Sequence, residues 1–206
     1  MLKYKIVMAG AKDVGKSSLI TRFCDNIFKE DMKATIGVDF KRKVITLEGV
    51  HNDISLELNI WDFAGEEKYR TLFPSYCNGA SAALILYDIT DKHSLNDVEN
   101  WIRIIDKNAS GNVIKVLIGT KIDLKEKREI FFEEAEKRSQ MYNFLGKPIE
   151  TSSKTGENVE NTFIKVCNEI INRNLQLCKS CGEFFIKNLK FCNYCGAEAK
   201  SQLIIQ

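Results

Sequence analysis

The sequence lacks any long hydrophobic run, although 44% of its 206 residues are hydrophobic. A membrane-spanning helix needs about 20 consecutive apolar residues, so none is expected. The sequence also lacks a large excess of charge of either sign: it has 30 Lys and Arg and 28 Asp and Glu, which gives a net charge of +2. That excess is too small to predict a nucleic-acid partner or an acidic membrane surface. The composition is typical of a soluble globular protein.

The sequence also lacks a targeting segment, an internal repeat and a low-complexity stretch. A strand-like segment follows Met1 at once, so we expect no signal peptide and a cytoplasmic protein with reduced thiols. Residues 201–206 read Ser-Gln-Leu-Ile-Ile-Gln and contain no cysteine. We therefore expect no C-terminal prenyl anchor, so that any membrane contact depends on a partner or on the C-terminal segment.

Short apolar runs alternate along the chain with segments of helical period. Residues 6–9, 82–87 and 116–119 are nearly all apolar, as in strands covered on both faces. Residues 38–47 and 54–61 alternate and flank a turn, which predicts a hairpin. Two sets of apolar residues each fall on one face of a helix: Leu95, Val98, Ile102 and Ile105, and Val159, Phe163, Val166 and Ile170. This alternation predicts an α/β fold with a mostly parallel sheet and helices on both faces.

Residues 10–17 fit the phosphate-loop pattern G-x-x-x-x-G-K-[ST], after the first strand and before the first helix. The glycines let backbone N–H groups turn towards phosphate oxygens, and the helix N-terminus adds its positive dipole end. Lys16 can reach the β- and γ-phosphates, and the Ser17 hydroxyl can ligate Mg²⁺. The alternative is a glycine-rich turn without a ligand. The nucleotide-binding residues predicted in this segment are Gly10, Lys12, Asp13, Val14, Gly15, Lys16, Ser17 and Ser18.

Two further motifs follow predicted buried strands. The first is Thr120-Lys121-Ile122-Asp123. An aspartate there can accept hydrogen bonds from both the N1–H and the exocyclic amine of guanine, a donor pattern that adenine does not present. The second motif is Trp61-Asp62-Phe63-Ala64-Gly65, which places a carboxylate near the magnesium and a glycine near the γ-phosphate.

Together with the segments at 35–40 and 150–154, these motifs resemble those of the Ras superfamily of small GTPases, closest to its Rab branch. The resemblance covers residues 3–173. It implies a P-loop NTPase fold with a mostly parallel six-stranded sheet, as a GTPase domain over residues 1–173. It also implies that GTP and GDP bind with Mg²⁺ and that GTP is hydrolysed slowly.

The resemblance implies a role for individual residues. Thr35 is similar to the threonine that ligates Mg²⁺ and senses the γ-phosphate, and Asp62 to the second-shell magnesium carboxylate. Phe28 is similar to the phenylalanine that packs on guanine, although plain core packing is the alternative. The catalytic set implied is Lys16, Thr35, Gly65 and Glu66. The remaining nucleotide contacts implied are Thr120, Lys121, Asp123, Ser152, Ser153 and Lys154.

Three positions depart from the family pattern. Glu66 replaces the glutamine that orients the attacking water, Lys12 replaces a small residue, and Thr120 replaces the commoner asparagine. Thr120 keeps a hydroxyl, so guanine binding should survive. We expect Lys12 and Glu66 to pair near the γ-phosphate, which would keep Glu66 ionised and obstruct an arginine supplied by a partner. The alternative is drift in a slow enzyme, with Lys12 in solvent.

Four cysteines lie in the C-terminal segment in two C-x-x-C-G motifs: Cys178, Cys181, Cys192 and Cys195. Four thiolates provide a closed tetrahedral Zn²⁺ site, which predicts a zinc ribbon and tail over residues 174–206. A pair of redox motifs is the alternative, although no βαβ context surrounds either one. The architecture resembles zinc-ribbon small GTPases of Asgard archaea. Because the final helix should leave the sheet at the edge away from the nucleotide, we expect a ribbon remote from the γ-phosphate that acts in docking.

The functional prediction is a GTP-hydrolysing molecular switch in membrane-traffic-like or cytoskeletal regulation, with effector and regulator proteins that the sequence does not identify. The alternative is a GTP-bound scaffold with little hydrolysis, which Glu66 would favour. A weaker alternative is a ribbon that binds nucleic acid through aromatic residues and nearby lysines, although these rings suit the ribbon core better; the aromatic residues are Phe184, Phe185, Phe191 and Tyr194. No nucleic-acid partner is expected.

Overall fold

A computed structural model describes residues 2–48 and 53–199. The predicted hairpin turn at residues 49–52 and the tail at 200–206 lie outside the described residues. The strands are β1 Leu2–Gly10, β2 Val38–Leu47, β3 Ile54–Phe63, β4 Ala82–Asp88, β5 Ile114–Thr120, β6 Ile149–Glu150, β7 Leu175–Leu177 and β8 Phe184–Ile186. The α-helices are α1 Lys16–Asp25, α2 Phe73–Cys77, α3 Lys92–Asn108, α4 Phe132–Met141 and α5 Val159–Asn174. Short 3₁₀ turns occupy Glu67–Tyr69 and Lys125–Lys127.

The main sheet has six strands in the order β2-β3-β1-β4-β5-β6. Strand β2 pairs antiparallel with β3, and the other neighbours are parallel. This arrangement confirms the predicted fold class and the β2–β3 hairpin. Because the parallel strands run together, the loops that leave their carboxyl ends meet at one edge of the sheet.

The two faces of the sheet support two separate hydrophobic clusters. Along β1, Ile6 and Met8 pack in the cluster that contains α1 and α5, whereas Val7 and Ala9 pack in the cluster that contains α3. All four side chains are fully buried. The strand alternates between two covered faces, which explains why its sequence is apolar throughout.

Helices α3 and α5 bury the faces that their sequence periods predict. The eight apolar residues assigned to the two faces are at most 3% exposed. In contrast, α4 buries only Ala135 and Ser139 and therefore offers no comparable apolar pattern. No helix of the described residues combines the length and the apolarity that crossing a membrane would need.

The C-terminal hairpin continues directly from α5. Leu175, the first residue of β7, is 4% exposed and belongs to the main hydrophobic cluster, against which Phe184 of β8 also packs. The Arg173 guanidinium donates a hydrogen bond (3.1 Å) to the carbonyl of Asn112, just before the amino end of β5. The hairpin therefore begins near the amino ends of the parallel strands, on the side of the sheet opposite the carboxyl ends. The division of the chain after residue 173 stays a prediction, and the main core extends past that residue to Leu175.

Candidate nucleotide site and four-cysteine cluster

A cleft of about 400 Å³ lies at the carboxyl ends of the parallel strands. Its walls come from the phosphate loop, the segment before β2, the end of β3 and the loops after β5 and β6. The predicted site residues that line it are Lys12, Asp13, Gly15, Lys16, Ser17, Ser18, Phe28, Thr35, Gly65, Glu66, Thr120, Lys121, Asp123, Ser153 and Lys154. Gly10, Val14, Asp62 and Ser152 are not among its lining residues, and the structure places them around it as supports.

Backbone geometry explains why the phosphate loop needs glycine at its first position. Gly10 has a φ of 139°, and a side chain there would bring Cβ within 2.5 Å of the Leu86 carbonyl oxygen. Gly15 immediately precedes α1 and has a left-handed conformation with a φ of 92°. The loop therefore wraps the start of α1, and its N–H groups and the helix dipole face the same cleft.

Lys16 is buried in the cleft floor and is 6% exposed. Its ammonium group donates hydrogen bonds to the carbonyls of Gly10 (2.8 Å) and Ala11 (2.7 Å). Burial lowers the pKa of Lys16 to about 8, although the nearby Asp62 and Asp13 oppose the shift. A phosphate group in the cleft would favour the charged ammonium, so Lys16 is suited to bind an anion.

Two hydroxyls and a carboxylate, the oxygen groups that Mg²⁺ prefers, meet beside Lys16. The Ser17 hydroxyl lies 2.7 Å from the Thr35 hydroxyl and donates a short hydrogen bond to Asp62 Oδ2, and this oxygen lies 3.4 Å from the Thr35 hydroxyl. Octahedral Mg²⁺ with bonds of about 2.1 Å separates adjacent ligands by about 3 Å, so the two hydroxyls suit neighbouring ligand positions and Asp62 lies beside them, where it could accept hydrogen bonds from water ligands. Asp62 is 3% exposed and its Oδ1 has no hydrogen-bond partner among the described residues. Burial raises the pKa of Asp62, and Ser17 and Lys16 oppose this effect.

Gly65 brings the segment after β3 against the phosphate loop. A Cβ at this position would lie 2.4 Å from backbone atoms of Ala11 and Lys12, which leaves no room for any side chain. The Ala64 N–H donates to the Gly37 carbonyl (3.0 Å), so the segment also joins the start of β2. The segments around Thr35 and Gly65 are therefore in contact with each other, and the Gly65 segment also contacts the phosphate loop.

At the other end of the cleft, side chains orient the residues predicted to bind guanine. The Ser152 hydroxyl donates a 2.6 Å hydrogen bond to Asp123 Oδ1 and fixes one face of the carboxylate. Lys121 has a left-handed φ of 63° and forms a 2.6 Å ion pair with Asp88. Phe28 lines the cleft and is not part of the buried core clusters of the described residues, which favours the guanine-packing role over core packing.

Two contacts that support the site could not be predicted from the motifs alone. Arg22, on α1, donates from its guanidinium to the carbonyls of Ser153 (2.6 Å) and Lys154 (2.8 Å). The Thr120 hydroxyl lies 2.7 Å from the Val14 carbonyl and so ties the phosphate loop to the end of β5. Arg22 is 131 residues away from Ser153, so only the fold reveals the contact.

The predicted Lys12–Glu66 contact is present, but Glu66 has a second and closer cation. Lys12 Nζ lies 3.5 Å from Glu66 Oε1, and Lys68 Nζ lies 2.8 Å from Glu66 Oε2. The hydrogen bond from Lys68 is the main reason that the pKa of Glu66 lies below its ordinary value, and Lys12 adds a smaller effect. Glu66 is therefore ionised at neutral pH.

The four predicted cysteine ligands meet in the C-terminal hairpin. Their sulfur atoms lie within 4.8 Å of one another, with Cys178 and Cys195 3.6 Å apart and Cys181 and Cys192 3.7 Å apart. Tetrahedral Zn²⁺ with bonds of about 2.3 Å places its sulfur ligands about 3.8 Å apart, so the cluster fits this ion. Backbone N–H groups of Cys181 and Ser180 lower the pKa of the Cys178 thiol. The Glu183 backbone opposes a rise in the pKa of the Cys181 thiol, but burial and the neighbouring sulfurs outweigh this effect and raise the pKa. A bound metal would favour the thiolate form of all four cysteines.

The sheet, the phosphate loop and the cleft at the carboxyl edge define a nucleotide-binding protein of the P-loop class. The Ras family model matches residues 5–172, and the chain belongs to the Ras family. It is 40% identical over 171 residues to Ras-related protein RIC1 of Oryza sativa subsp. japonica, a match that covers 82% of this chain and 81% of the relative. Members of the Ras family bind GTP and GDP with Mg²⁺ and act as small GTPases.

Proposed function

We propose that this protein is a molecular switch that binds GTP and GDP with Mg²⁺ and hydrolyses GTP slowly. The observation that carries this proposal is that Lys16, Ser17 and Thr35 line one end of the cleft, and that the Asp62 carboxylate is hydrogen-bonded to both hydroxyls behind them. At the opposite end of that cleft, Asp123 is held by Ser152 in position to read guanine. Phosphate, metal and base would thus each have a preformed set of partners.

Hydrolysis in this class depends on positioning and electrostatic stabilisation more than on covalent chemistry. Lys16 and the N–H groups of the phosphate loop would bind the β- and γ-phosphates. Ser17 and Thr35 would hold Mg²⁺, which neutralises charge on the phosphates when bound, and Asp62 would orient its water ligands. The Gly65 N–H would donate to the γ-phosphate, and the ionised Glu66 would accept a hydrogen bond from the attacking water.

The segments around Thr35 and Gly65 are suited to respond to the γ-phosphate, because one supplies a metal ligand and the other lies against the phosphate loop. Apolar side chains beside them face solvent, with Ile36 82% exposed and Leu72 44% exposed. We propose that effectors bind this surface in the GTP state, as in a Rab-like switch in membrane-traffic-like or cytoskeletal regulation. The alternative is a GTP-bound scaffold, in which Glu66 fails to orient the water and hydrolysis nearly stops.

We further propose that Cys178, Cys181, Cys192 and Cys195 bind one structural Zn²⁺, since four protein ligands leave no open position for water. We also propose a cytoplasmic location, where thiols stay reduced and can bind zinc.

The direct test is to identify the nucleotide that co-purifies with the protein and then to follow single-turnover hydrolysis on the same sample. We expect about one guanine nucleotide per chain and a turnover on the order of 10⁻⁴ s⁻¹ that requires Mg²⁺, as in related intrinsic GTPases. Stable GTP over many hours would favour the scaffold. Protein that retains no guanine nucleotide and binds none when it is added would contradict the proposed function.

A further inference from the structure

Of three cations near the phosphate end of the cleft, Lys12, Lys16 and Arg70, Lys12 has the weakest contacts. Lys16 is buried and donates to two backbone carbonyls, whereas Arg70 forms a short ion pair with Asp97. The Arg70 guanidinium also lies over the Trp101 ring, 4.7 Å from its centroid. The side chain of Lys12, in contrast, is 54% exposed, and its Glu66 contact is long at 3.5 Å.

The backbone of Lys12 lies where the phosphate loop meets the segment after β3. The close approach of Gly65 to the Lys12 nitrogen fixes this backbone position, and Lys12 also lines the cleft. A lysine side chain has four rotatable bonds and carries its charge as a compact ammonium group, so it can exchange partners within its reach. Its position therefore allows contact with either Glu66 or the terminal phosphate.

The contacts of Glu66 decide between these two partners. Lys68, at 2.8 Å, already neutralises the single charge of Glu66, so Lys12 gains little by remaining there. A terminal phosphate carries a charge of about −2 at neutral pH. Lys16 and Mg²⁺ offset part of this charge, but a bound triphosphate stays negative overall, whereas the Glu66–Lys68 pair is neutral overall. The phosphate therefore attracts the Lys12 ammonium group more strongly than Glu66 does.

We propose that Lys12 is a catalytic residue, whose ammonium group leaves Glu66 for the γ-phosphate when GTP binds. Lys12 thereby supplies from the same chain the cation that a partner protein supplies to other phosphoryl-transfer enzymes as an arginine finger. This inference rests on the proposed function of the cleft. Lys68 has the complementary role of a positioning residue, because it keeps Glu66 ionised and in place when Lys12 departs. Lys12 and Glu66 then act independently in the GTP state.

The chemical step is ordinary GTP hydrolysis. The oxygen of a water molecule forms a bond to the γ-phosphorus, and the bond from this phosphorus to the bridging oxygen breaks. The electron pair of that bond leaves with GDP, and the water proton goes to the released phosphate. Lys12 stabilises the negative charge that is redistributed over the phosphates, without donating or accepting a proton.

The test compares Lys12→Met, which keeps the length of the side chain without its charge, with Lys12→Arg and with Lys107→Met, an exposed control on α3. We expect Lys12→Met to slow single-turnover hydrolysis about tenfold, less than the 10³–10⁵ of a buried arginine finger because Lys12 is partly in solvent. Its preference for the β,γ-imido analogue of GTP over GDP should also fall about tenfold, which is typical of losing one charged hydrogen bond. Lys12→Arg should retain both properties within about threefold, and Lys107→Met should leave them unchanged.

Repeating Lys12→Met in a Glu66→Gln background shows whether Lys12 acts on the phosphate directly or only through its contact with Glu66. We expect the same tenfold loss in both backgrounds, because the fold-effects of two independent substitutions multiply to within about twofold. A loss that disappears in the Glu66→Gln background, or an unchanged analogue-to-GDP preference in Lys12→Met, overturns the inference. Either result leaves the proposed function standing if GDP still binds, whereas failure of the wild-type protein to bind GDP contradicts the proposed function itself.

Discussion

Replacement of Asp123 by asparagine is expected to weaken GTP binding by about 2–4 kcal/mol, or roughly 30- to 700-fold. The carboxylate accepts both guanine hydrogen bonds in the proposed complex, and Ser152 donates to its Oδ1 from behind at 2.6 Å. An asparagine has an NH₂ group in place of one carboxylate oxygen. In one orientation this NH₂ group faces the guanine donors, and in the other it faces the Ser152 hydroxyl, which donates to the aspartate in the wild type. Xanthine has a carbonyl in place of the exocyclic amine, so the same variant should gain affinity for xanthosine triphosphate.

The Asp123→Asn experiment needs competition binding with GTP and xanthosine triphosphate on the same preparations. Asp106→Asn is a matched control, since Asp106 pairs with Lys115 (2.8 Å) and does not line the cleft. The control should keep the GTP preference of the wild type. Equal GTP affinity in Asp123→Asn and the wild type would contradict the assignment of Asp123 to the guanine site.

Loss of zinc is expected to unfold the ribbon, which is the second large effect. The ribbon has a minimal hydrophobic cluster of its own, in which the buried members are Cys178, Phe185 and Cys192. So small a cluster cannot offset the conformational entropy of ordering the ribbon, whereas structural zinc sites contribute on the order of 10 kcal/mol. Chelation or Cys178→Ser should therefore release one Zn²⁺ per chain and unfold residues 176–199, as followed by elemental analysis and amide hydrogen exchange.

The main domain should respond to zinc loss in stability more than in activity. Phe184 packs against the cluster that contains Leu175, so unfolding of the ribbon exposes apolar surface and lowers the free energy of unfolding. The Arg173–Asn112 contact places the start of the ribbon at the amino edge of the sheet, so hydrolysis should change less than threefold. Cys24→Ser is the control, because Cys24 lies outside the four-cysteine cluster. Zinc-free native protein would contradict the site, and a tenfold change in hydrolysis would contradict the remote placement.

The sequence predicts those parts of the structure that depend on local patterns. The strand and helix periods predict the sheet, the hairpin and helices α3 and α5, and short motifs locate the cleft because each one follows a strand. Helix α4 could not be found in this way, since its buried residues, Ala135 and Ser139, form no apolar stripe. The end of the main core at Leu175 was also not predictable, because this residue lies in the segment that the cysteine motifs assign to the ribbon, although it packs in the main hydrophobic cluster.

Partners of the site residues required the three-dimensional structure. The pair Lys12–Glu66 could be inferred from two unusual side chains expected near one phosphate, but the closer contact with Lys68 depends on the 3₁₀ turn at Glu67–Tyr69. Arg22 supports Ser153 across the fold without any motif to mark it. The Arg22 contact joins segments that are distant in sequence and have ordinary surface residues, so motif spacing carries no information about it.

The central claim is that the γ-phosphate controls the segments around Thr35 and Gly65. Amide hydrogen exchange in protein loaded with GDP or with the β,γ-imido analogue of GTP measures this most directly. We expect residues 28–37 and 64–72 to exchange at least about tenfold more slowly with the analogue, because the added contacts order both segments. The ribbon at 175–199 should exchange equally in the two states. Identical exchange of the two segments with both nucleotides would contradict a switch, even in a protein that binds and hydrolyses GTP.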